Sequence, residues 1–418
     1  MQREIISDAL NFLKDDILEE TDKVRSRRRQ YRKIWWRWAV AAGAACFLFL
    51  FSAGILFLPQ RLSDGTENAP EKSLDDIAEL PKESSHPAVK LPELTVTEDI
   101  GIGAGFEGYM AHDVSELVNG NPWSETEKLS VLPVYRNHAF LGKGSKGEKA
   151  DTDKMRECLI DVARRLDVDV DSLTITKSVI GADSAQDSAV FLSAQADGVE
   201  IEAARELTVD ISFEPAIALP ETYHITHSST YEENAAAAGY LQEKYGKLIA
   251  MKNPQIDISG GDYGKEEDAK GFYQSYEIAF FDKGKSSTEQ MVNYNFNRVA
   301  FYFDDDGKLF LARVYQPDLS EKTGNYPLIS KERAKKLLLN GNYITTVPDK
   351  FPGGDFIAKT ELVYRTGTTE KYFMPYYRFY VELPDLEENG MKCYGAYYVP
   401  AVKEEYISNM PTWDGSMN

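Results

Sequence analysis

Residues Trp38–Leu58 read WAVAAGAACFLFLFSAGILFL, a stretch without a single charged residue. Its length matches the roughly 20 apolar residues that an α-helix needs to cross the hydrocarbon core of a bilayer. The leucine, isoleucine and phenylalanine side chains of its second half each favour insertion by about 0.3–0.6 kcal/mol. The sequence therefore predicts one membrane-spanning helix over residues 38–58.

Basic residues are concentrated on the N-terminal side of this segment. Seven lie between Arg25 and Arg37, whereas Arg61 is the only nearby base after the segment. Because positively charged flanks stay in the cytoplasm, we expect a cytoplasmic N-terminus and an extracellular C-terminal part in the cell membrane. The side chains expected at the membrane interface are those of Arg27, Arg28, Arg29, Trp35, Trp36 and Trp38.

Two other interpretations of the apolar segment fit less well. The 37 residues before it are too long for the basic region of a signal peptide, and no small-x-small cleavage site follows it. A lipoprotein is disfavoured because Cys46 precedes most of the apolar residues, whereas a lipidated cysteine follows them. Membrane lipid is thus one expected partner.

The first 24 residues have the pattern of an amphipathic helix. Ile6, Leu10, Leu13 and Ile17 follow spacings of four, three and four, which places them on one face. A single apolar stripe has no core of its own, so it docks on a protein partner, lies on the inner leaflet or stays loosely ordered. The acidic opposite face favours a protein groove, and the Arg-rich stretch that follows favours lipid.

The remainder of the chain is strongly acidic. The whole chain has 47 basic and 67 acidic residues, and only seven of the acidic residues precede Trp38. Such a surface repels phosphate backbones, so we expect no nucleic-acid partner. Cys158 and Cys393 lie far apart in this part; buried free thiols are the simpler interpretation, with a disulfide bridge as the alternative.

Beyond a spacer rich in Ser, Glu, Lys and Pro, a helical pattern followed by strand patterns occurs three times. The helices are predicted at 152–166, 231–249 and 330–340. The strands are predicted near 173–177, 189–196, 199–203 and 207–213, then 272–281, 297–303 and 308–315, then 355–365, 372–383 and 392–400. Asp-Gly pairs at 197–198 and 306–307 favour tight hairpins.

These patterns predict an α+β class, in which a helix packs on an antiparallel sheet in each unit. The alternating tyrosines near the C-terminus indicate a sheet core, although an exposed row would suit a peptide or glycan. The expected segments are 1–37 cytoplasmic, 38–58 transmembrane, 59–95 linker, 96–220 first unit, 221–320 second unit, and 321–418 third unit and tail.

Two resemblances accompany these patterns. The stretch LNFLKDDILEETDKVRSRRRQYRKIWWRWAVAAGAACFLF resembles the acidic helix, basic stretch and Trp-rich anchor of many Firmicutes single-pass membrane proteins. The segments YPLISKERAKKLLLNG, MPYYRFYVEL and CYGAYYVPAV resemble the helix-plus-strand units of YycH/YycI-type regulators and of PepSY-like exported domains. This second resemblance implies a regulator that modulates a membrane-bound sensor kinase through protein contacts.

The sequence signals for catalytic and metal-binding sites are weak. His224 and His227 are three positions apart in a segment with loop or strand character, which does not suit a metal pair. Gly103, Gly105 and Gly108 match a dinucleotide pattern without the strand that should precede it. Asp304, Asp305 and Asp306 suit a hairpin turn better than a calcium loop.

We found no nucleophile elbow, phosphate-binding loop or zinc-protease motif, and therefore expect no catalytic residue, cofactor or metal. The sequence favours a non-enzymatic, membrane-anchored regulatory or sensory protein, with a protein partner on one or both sides of the membrane. A membrane-anchored hydrolase of the cell envelope is the alternative, and it requires a cleft with convergent ionisable groups.

Overall fold

The computed structural model describes residues 90–97, 106–126, 129–141, 148–180, 189–196, 198–223, 225–226, 228–265, 271–348 and 350–413. The predicted cytoplasmic helix, the Arg- and Trp-rich interface and the apolar segment 38–58 all lie outside these residues. Among the helices of the described ranges, none combines the length and apolar character needed to span a bilayer.

The described part is an α+β fold, as predicted, in which all the strand ladders are antiparallel. The helices are α1 (Thr152–Arg165), α2 (Tyr231–Lys244), α3 (Gly246–Ile249), α4 (Ser287–Phe296) and α5 (Lys331–Leu339). The strands are β1 (Gly108–Ala111), β2 (Val131–Arg136), β3 (Thr176–Ile180), β4 (Ala189–Ala196), β5 (Val199–Ala204), β6 (Thr208–Ala218), β7 (Pro254–Lys265), β8 (Phe272–Asp282), β9 (Arg298–Phe303), β10 (Lys308–Tyr315), β11 (Lys322–Pro327), β12 (Ile344–Thr345), β13 (Ile357–Tyr364), β14 (Tyr372–Phe373), β15 (Pro375–Glu382) and β16 (Lys392–Pro400).

The largest sheet has eight strands in the order β3-β4-β5-β6-β10-β9-β8-β7. The central pair, β6 and β10, joins strands that are about a hundred residues apart, with Ala312 opposite Ile211. Helix α1 packs on this sheet through Met155, Leu159 and Val162, which alternate with exposed positions at helical spacing. The helix and the strands therefore share one apolar core.

Helix α2 packs on the same sheet beside β7 and β8. A capping box starts it: Glu233 N–H donates to Thr230 Oγ1 at 3.3 Å, and Thr230 N–H donates to Glu233 Oε2 at 2.7 Å. Ala237 and Ala238 are fully buried, so the helix backbone lies close to the strands. The predicted helix over 231–249 is interrupted at Tyr245, where the short helix α3 begins.

A second sheet contains β1-β16-β15-β13, and β12 also pairs with β16. Both β15 and β16 are buried along nearly their whole length. The tyrosines Tyr376, Tyr380, Tyr394 and Tyr397 are at most 1% exposed, which confirms that these rings form sheet core and not a surface row. A third sheet, β11-β2-β14, lies beside this one.

The two ends of the described chain lie side by side. Leu94 N–H donates to the Tyr406 carbonyl at 2.7 Å, and Ser408 N–H donates to the Leu94 carbonyl at 2.9 Å. Asn409 holds both the N–H and the carbonyl of Val96 through its side-chain amide, at 2.8 Å each. Strand β1 also pairs with β16, so residues early in the chain are held by the last strand.

The strand predicted at 173–177 is displaced in the structure. Asp169 caps a short 3-10 turn over Val170–Ser172, and β3 begins only at Thr176. Strand β7 and helix α4 were not predicted. Gly260 and Gly261 interrupt the apolar alternation of β7 with a bulge, and α4 is short and rich in asparagine.

The predicted hairpins are present. Gly198 and Gly307 have φ values of +78° and +73°, the left-handed region that glycine adopts without strain. In the second hairpin, Asp304 Oδ1 accepts from the N–H groups of Asp306 and Lys308 at 3.0 and 2.9 Å. The Asp304–Asp306 cluster is therefore a turn, as expected.

Candidate functional site

A polar cleft of about 120 Å³ lies between the eight-stranded sheet and the three-stranded sheet. Four separate segments form it: the stretch after β2, the residues that lead into α1, the turn between β5 and β6, and the loop after β10. The lining residues are Asn137, His138, Ala139, Glu148, Lys149, Asp151, Lys154, Arg205, Glu206, Leu207, Pro317 and Asp318.

Local hydrogen bonds position each wall of the cleft. Asp151 caps α1 by accepting from Lys154 N–H at 3.1 Å, which fixes the start of the helix. The buried Asn137 amide donates to the Glu370 carbonyl at 2.7 Å, and its oxygen accepts from Ala139 N–H at 2.9 Å. Leu207 has φ +65° and closes the β5–β6 turn. The lining side chains therefore stand on fixed backbone.

Lys154 and Asp318 form the central ion pair of the cleft. Partial burial raises the pKa of Asp318, but hydrogen bonds from Lys154 and Ser320 outweigh this effect and bring the pKa down to about 2. The same hydrogen bond to Asp318 raises the pKa of Lys154. Both groups are therefore charged at neutral pH.

Arg205 and Glu206 form the opposite wall at the tip of the β5–β6 turn. Arg205 Nη2 donates to the Glu148 carbonyl at 2.6 Å. Burial lowers the pKa of Arg205 and raises the pKa of the Glu206 carboxyl. The Asp318 carboxyl is thus held ionised, whereas the Glu206 carboxyl retains its proton more readily. Two carboxyls with pKa values shifted in opposite directions can take different acid and base roles.

His138 lies at the rim of the cleft. Its Nε2 is 3.5 Å from Glu321 Oε2 and 3.9 Å from Asp318 Oδ2. These distances suit an ion pair when the imidazole is protonated. They are too long for a direct hydrogen bond of normal strength.

The size of the cleft limits its possible ligands. Pockets for drug-sized ligands are typically about 300–1,000 Å³. The cleft suits a small polar group or the tip of a protein side chain.

Strongly perturbed charges also lie in the core of the described part, away from this cleft. Arg298 Nη2 is 2.6 Å from Asp257 Oδ2 and 3.9 Å from Glu277 Oε1, and all three side chains are buried. Burial raises the pKa of Glu277 to about 7, against the lowering effect of Arg298. This network joins β7, β8 and β9 beneath α4.

A second buried network joins β13 and β15. Arg378 pairs with Glu361, and Lys359 Nζ is 2.8 Å from Glu361 Oε1. Burial raises the pKa of Glu361, but the charges of Arg378 and Lys359 outweigh it and hold the pKa at about 2. Arg378 and Glu361 are both buried, so removal of either partner would leave the other charge uncompensated in the core.

The residues singled out from the sequence are not brought together in the described structure. Ile6, Leu10, Leu13, Ile17 and the membrane-interface residues lie outside the described ranges, as do His224 and His227. Within those ranges, no group of three His, Cys, Asp or Glu side chains is arranged to hold a metal ion. Cys158 and Cys393 are both free thiols.

The cleft was not anticipated from the sequence. Its walls come from segments up to 181 residues apart, none of which has a recognisable motif. The one local signal was Asp151, a typical N-cap residue directly before the first helical pattern. Searches against known protein-family models and against curated proteins found no match to this chain.

Proposed function

We propose that this chain is a non-enzymatic, single-pass membrane protein, whose acidic exported domain binds a protein or a small ligand in envelope signalling. The proposal includes a transmembrane helix at 38–58, a cytoplasmic N-terminus and a partner on one or both sides of the membrane. The uncharged 21-residue segment and its basic N-terminal flank support this topology.

The proposal also treats the exported domain as repeated helix-and-sheet units. In support, α1 precedes β3–β6, and α2 and α3 precede β7–β10, each on the same eight-stranded sheet. Helix α5 likewise precedes β12, β13, β15 and β16 of the second sheet.

The observation that carries the proposal is the location of the ionisable groups. The Arg298 and Arg378 networks are enclosed in the core, whereas the described cleft is small and its Asp318 is already paired with Lys154. An enzyme places its perturbed groups where a substrate reaches them. This distribution favours binding over catalysis.

Deleting residues 2–24 tests the cytoplasmic part of the proposal. We expect the shortened protein to remain in the membrane and the envelope stress response to change, because the apolar stripe of Ile6, Leu10, Leu13 and Ile17 is removed. Transcription of envelope genes is the measurement. Substituting Asp8 and Asp15 by asparagine, on the opposite face, is the control that should leave it unaltered.

Protease added to intact, wall-stripped cells tests the topology separately. We expect the C-terminal part to be degraded and the N-terminal segment to be protected. A protected C-terminal part would refute the proposed orientation, whatever the outcome of the deletion.

The cleft supports one second candidate, an anchored hydrolase of wall material, since Glu206 and Asp318 have pKa values shifted in opposite directions. We expect purified protein to release no soluble fragments from cell walls. If it does, Glu206→Gln should reduce the rate by about 10²-fold or more, as loss of a general acid does. The exposed Glu405→Gln variant is the matched control, and its rate should equal that of the wild type.

A further inference from the structure

Arg205, on one wall of the cleft, differs from the other buried and half-buried arginines of the described part. Each of the others forms an ion pair with a carboxylate, and these pairs are Arg136–Glu148, Arg165–Asp161, Arg298–Asp257, Arg313–Asp210, Arg365–Glu370 and Arg378–Glu361. Within the described ranges, the only hydrogen bond of the Arg205 side chain runs from Nη2 to the Glu148 carbonyl, at 2.6 Å. A half-buried cation of this kind is normally paired with an anion.

The guanidinium of Arg205 is only partly enclosed by the cleft wall. Its Nε is buried without an acceptor in the described part, and its Nη2 is held by the Glu148 carbonyl. Nη1 is neither bonded to a described residue nor buried, so it is the nitrogen that a molecule in the cleft can reach. Because a guanidinium stays protonated at physiological pH, the cleft carries a fixed positive charge at this position.

The acidic side chains of the cleft do not neutralise this charge. Glu148 pairs with Arg136, and Asp318 pairs with Lys154. Burial raises the pKa of Glu206, so that its carboxyl retains a proton more readily. The cleft therefore favours a ligand that carries one negative charge.

A carboxylate is the anion that fits these conditions best. The N–H donors of a guanidinium match the planar geometry of a carboxylate. A dianion such as hydrogen phosphate would bring a second negative charge close to Asp151 and Asp318, which also line the cleft. The volume of about 120 Å³ is well below the roughly 300–1,000 Å³ of pockets for drug-sized molecules, so the ligand has few non-hydrogen atoms.

We infer that the cleft is a binding site for a small organic monocarboxylate of about the size of lactate, whose carboxylate accepts a hydrogen bond from Arg205 Nη1. The inference deepens the proposed function and rests on it, because it names the class of small ligand that the exported domain binds. The protease test and the deletion of residues 2–24 do not depend on Arg205. Failure of this site would therefore leave the proposed topology and the cytoplasmic partner to their own tests.

Saturation-transfer NMR on the purified full chain in detergent micelles tests the site, with lactate as the probe and empty micelles as the blank. We expect transfer to the lactate methyl group, with a dissociation constant on the order of 1 mM. Acetate should displace lactate, whereas chloride at the same ionic strength should not. Hydrogen phosphate should bind about tenfold more weakly than lactate, or less, because of its second charge.

Arg205→Gln should weaken lactate binding about tenfold or more, because a charge-assisted hydrogen bond is lost. The matched control is Arg164→Gln, which removes the same charge from an exposed position of α1 and should bind lactate as the wild type does. If Arg205→Gln lowers the unfolding temperature, the competition between anions on the wild type decides. Displacement by chloride, tighter binding of phosphate, equal loss in both variants, or no transfer at about 50 mM lactate would overturn the inference.

Discussion

Replacing Arg378 by leucine is expected to destabilise the folded domain by about 3–5 kcal/mol, because Glu361 then remains buried without its main counter-charge. Arg378 is fully buried, pairs with Glu361 and lies 4.4 Å from the ring centroid of Tyr380. Urea unfolding at pH 7, followed by tryptophan fluorescence, gives the change in free energy of unfolding.

Two further variants show whether the loss comes from the unpaired charge. Arg333→Leu removes an exposed pair with Glu404, and little or no loss of stability is expected because solvent screens such a pair. The double variant Arg378→Leu, Glu361→Leu should lose less stability than Arg378→Leu alone, because no unpaired charge remains. A single-variant loss below about 1 kcal/mol would contradict the structural role assigned to this network.

The wild-type protein is expected to lose stability as the pH rises from about 4.5 to about 7. Replacing Glu277 by glutamine is expected to abolish this loss. Burial raises the pKa of Glu277 from 4.5 to about 7. In this range the folded protein binds more protons than the unfolded chain, so the free energy of unfolding of the wild type falls as the pH rises. The stabilising effect of the bound proton is complete below the unfolded pKa and is lost above the folded one.

At pH 8 the free energy of unfolding of the variant should therefore exceed that of the wild type by an amount on the order of 3 kcal/mol. At pH 5 the two values should be closer. Urea unfolding at both pH values is the measurement, with the exposed Glu405→Gln variant as control. The titration of Glu361 does not affect this comparison. Its pKa is lowered to about 2, so its contribution to stability is lost only as the pH falls from about 4.5 to about 2. Parallel profiles for the wild type and Glu277→Gln would contradict the raised pKa.

Elements with a strong local pattern could be predicted from the sequence. Helix α1 follows a clear 3.6-residue apolar period, and β4, β10 and β16 have the bounds that their apolar runs indicated. Strand β7 was not predicted because its two glycines break the apolar alternation. The bulge at Gly260 is explained only by the close approach of Tyr276 and Ser275 of β8.

The long-range pairings could not be predicted. No sequence feature of β6 or β10 indicates that these two strands pair. Their pairing follows from the packing of two helices on one continuous sheet. The cleft has the same origin, since Arg205, Asp318 and His138 are brought together by the assembly of separate sheets. The acid and base groups of the buried networks also come from different strands, and single-sequence reasoning gives no signal for such pairs.

The hydrogen bonds between Leu94 and the segment around Ser408 limit when the described part of the chain can complete its fold. Strand β1 pairs with β16, and Leu94 bonds to Tyr406 and to Ser408, which is 314 residues further along the chain. Strand β1 and Leu94 therefore have no partner until residues 392–408 have been synthesised, and contacts between such distant parts of a chain form late. A polypeptide that stopped at Lys403 would keep β16 as the partner of β1 but would lack Tyr406, Ser408 and Asn409, which bond to Leu94 and Val96.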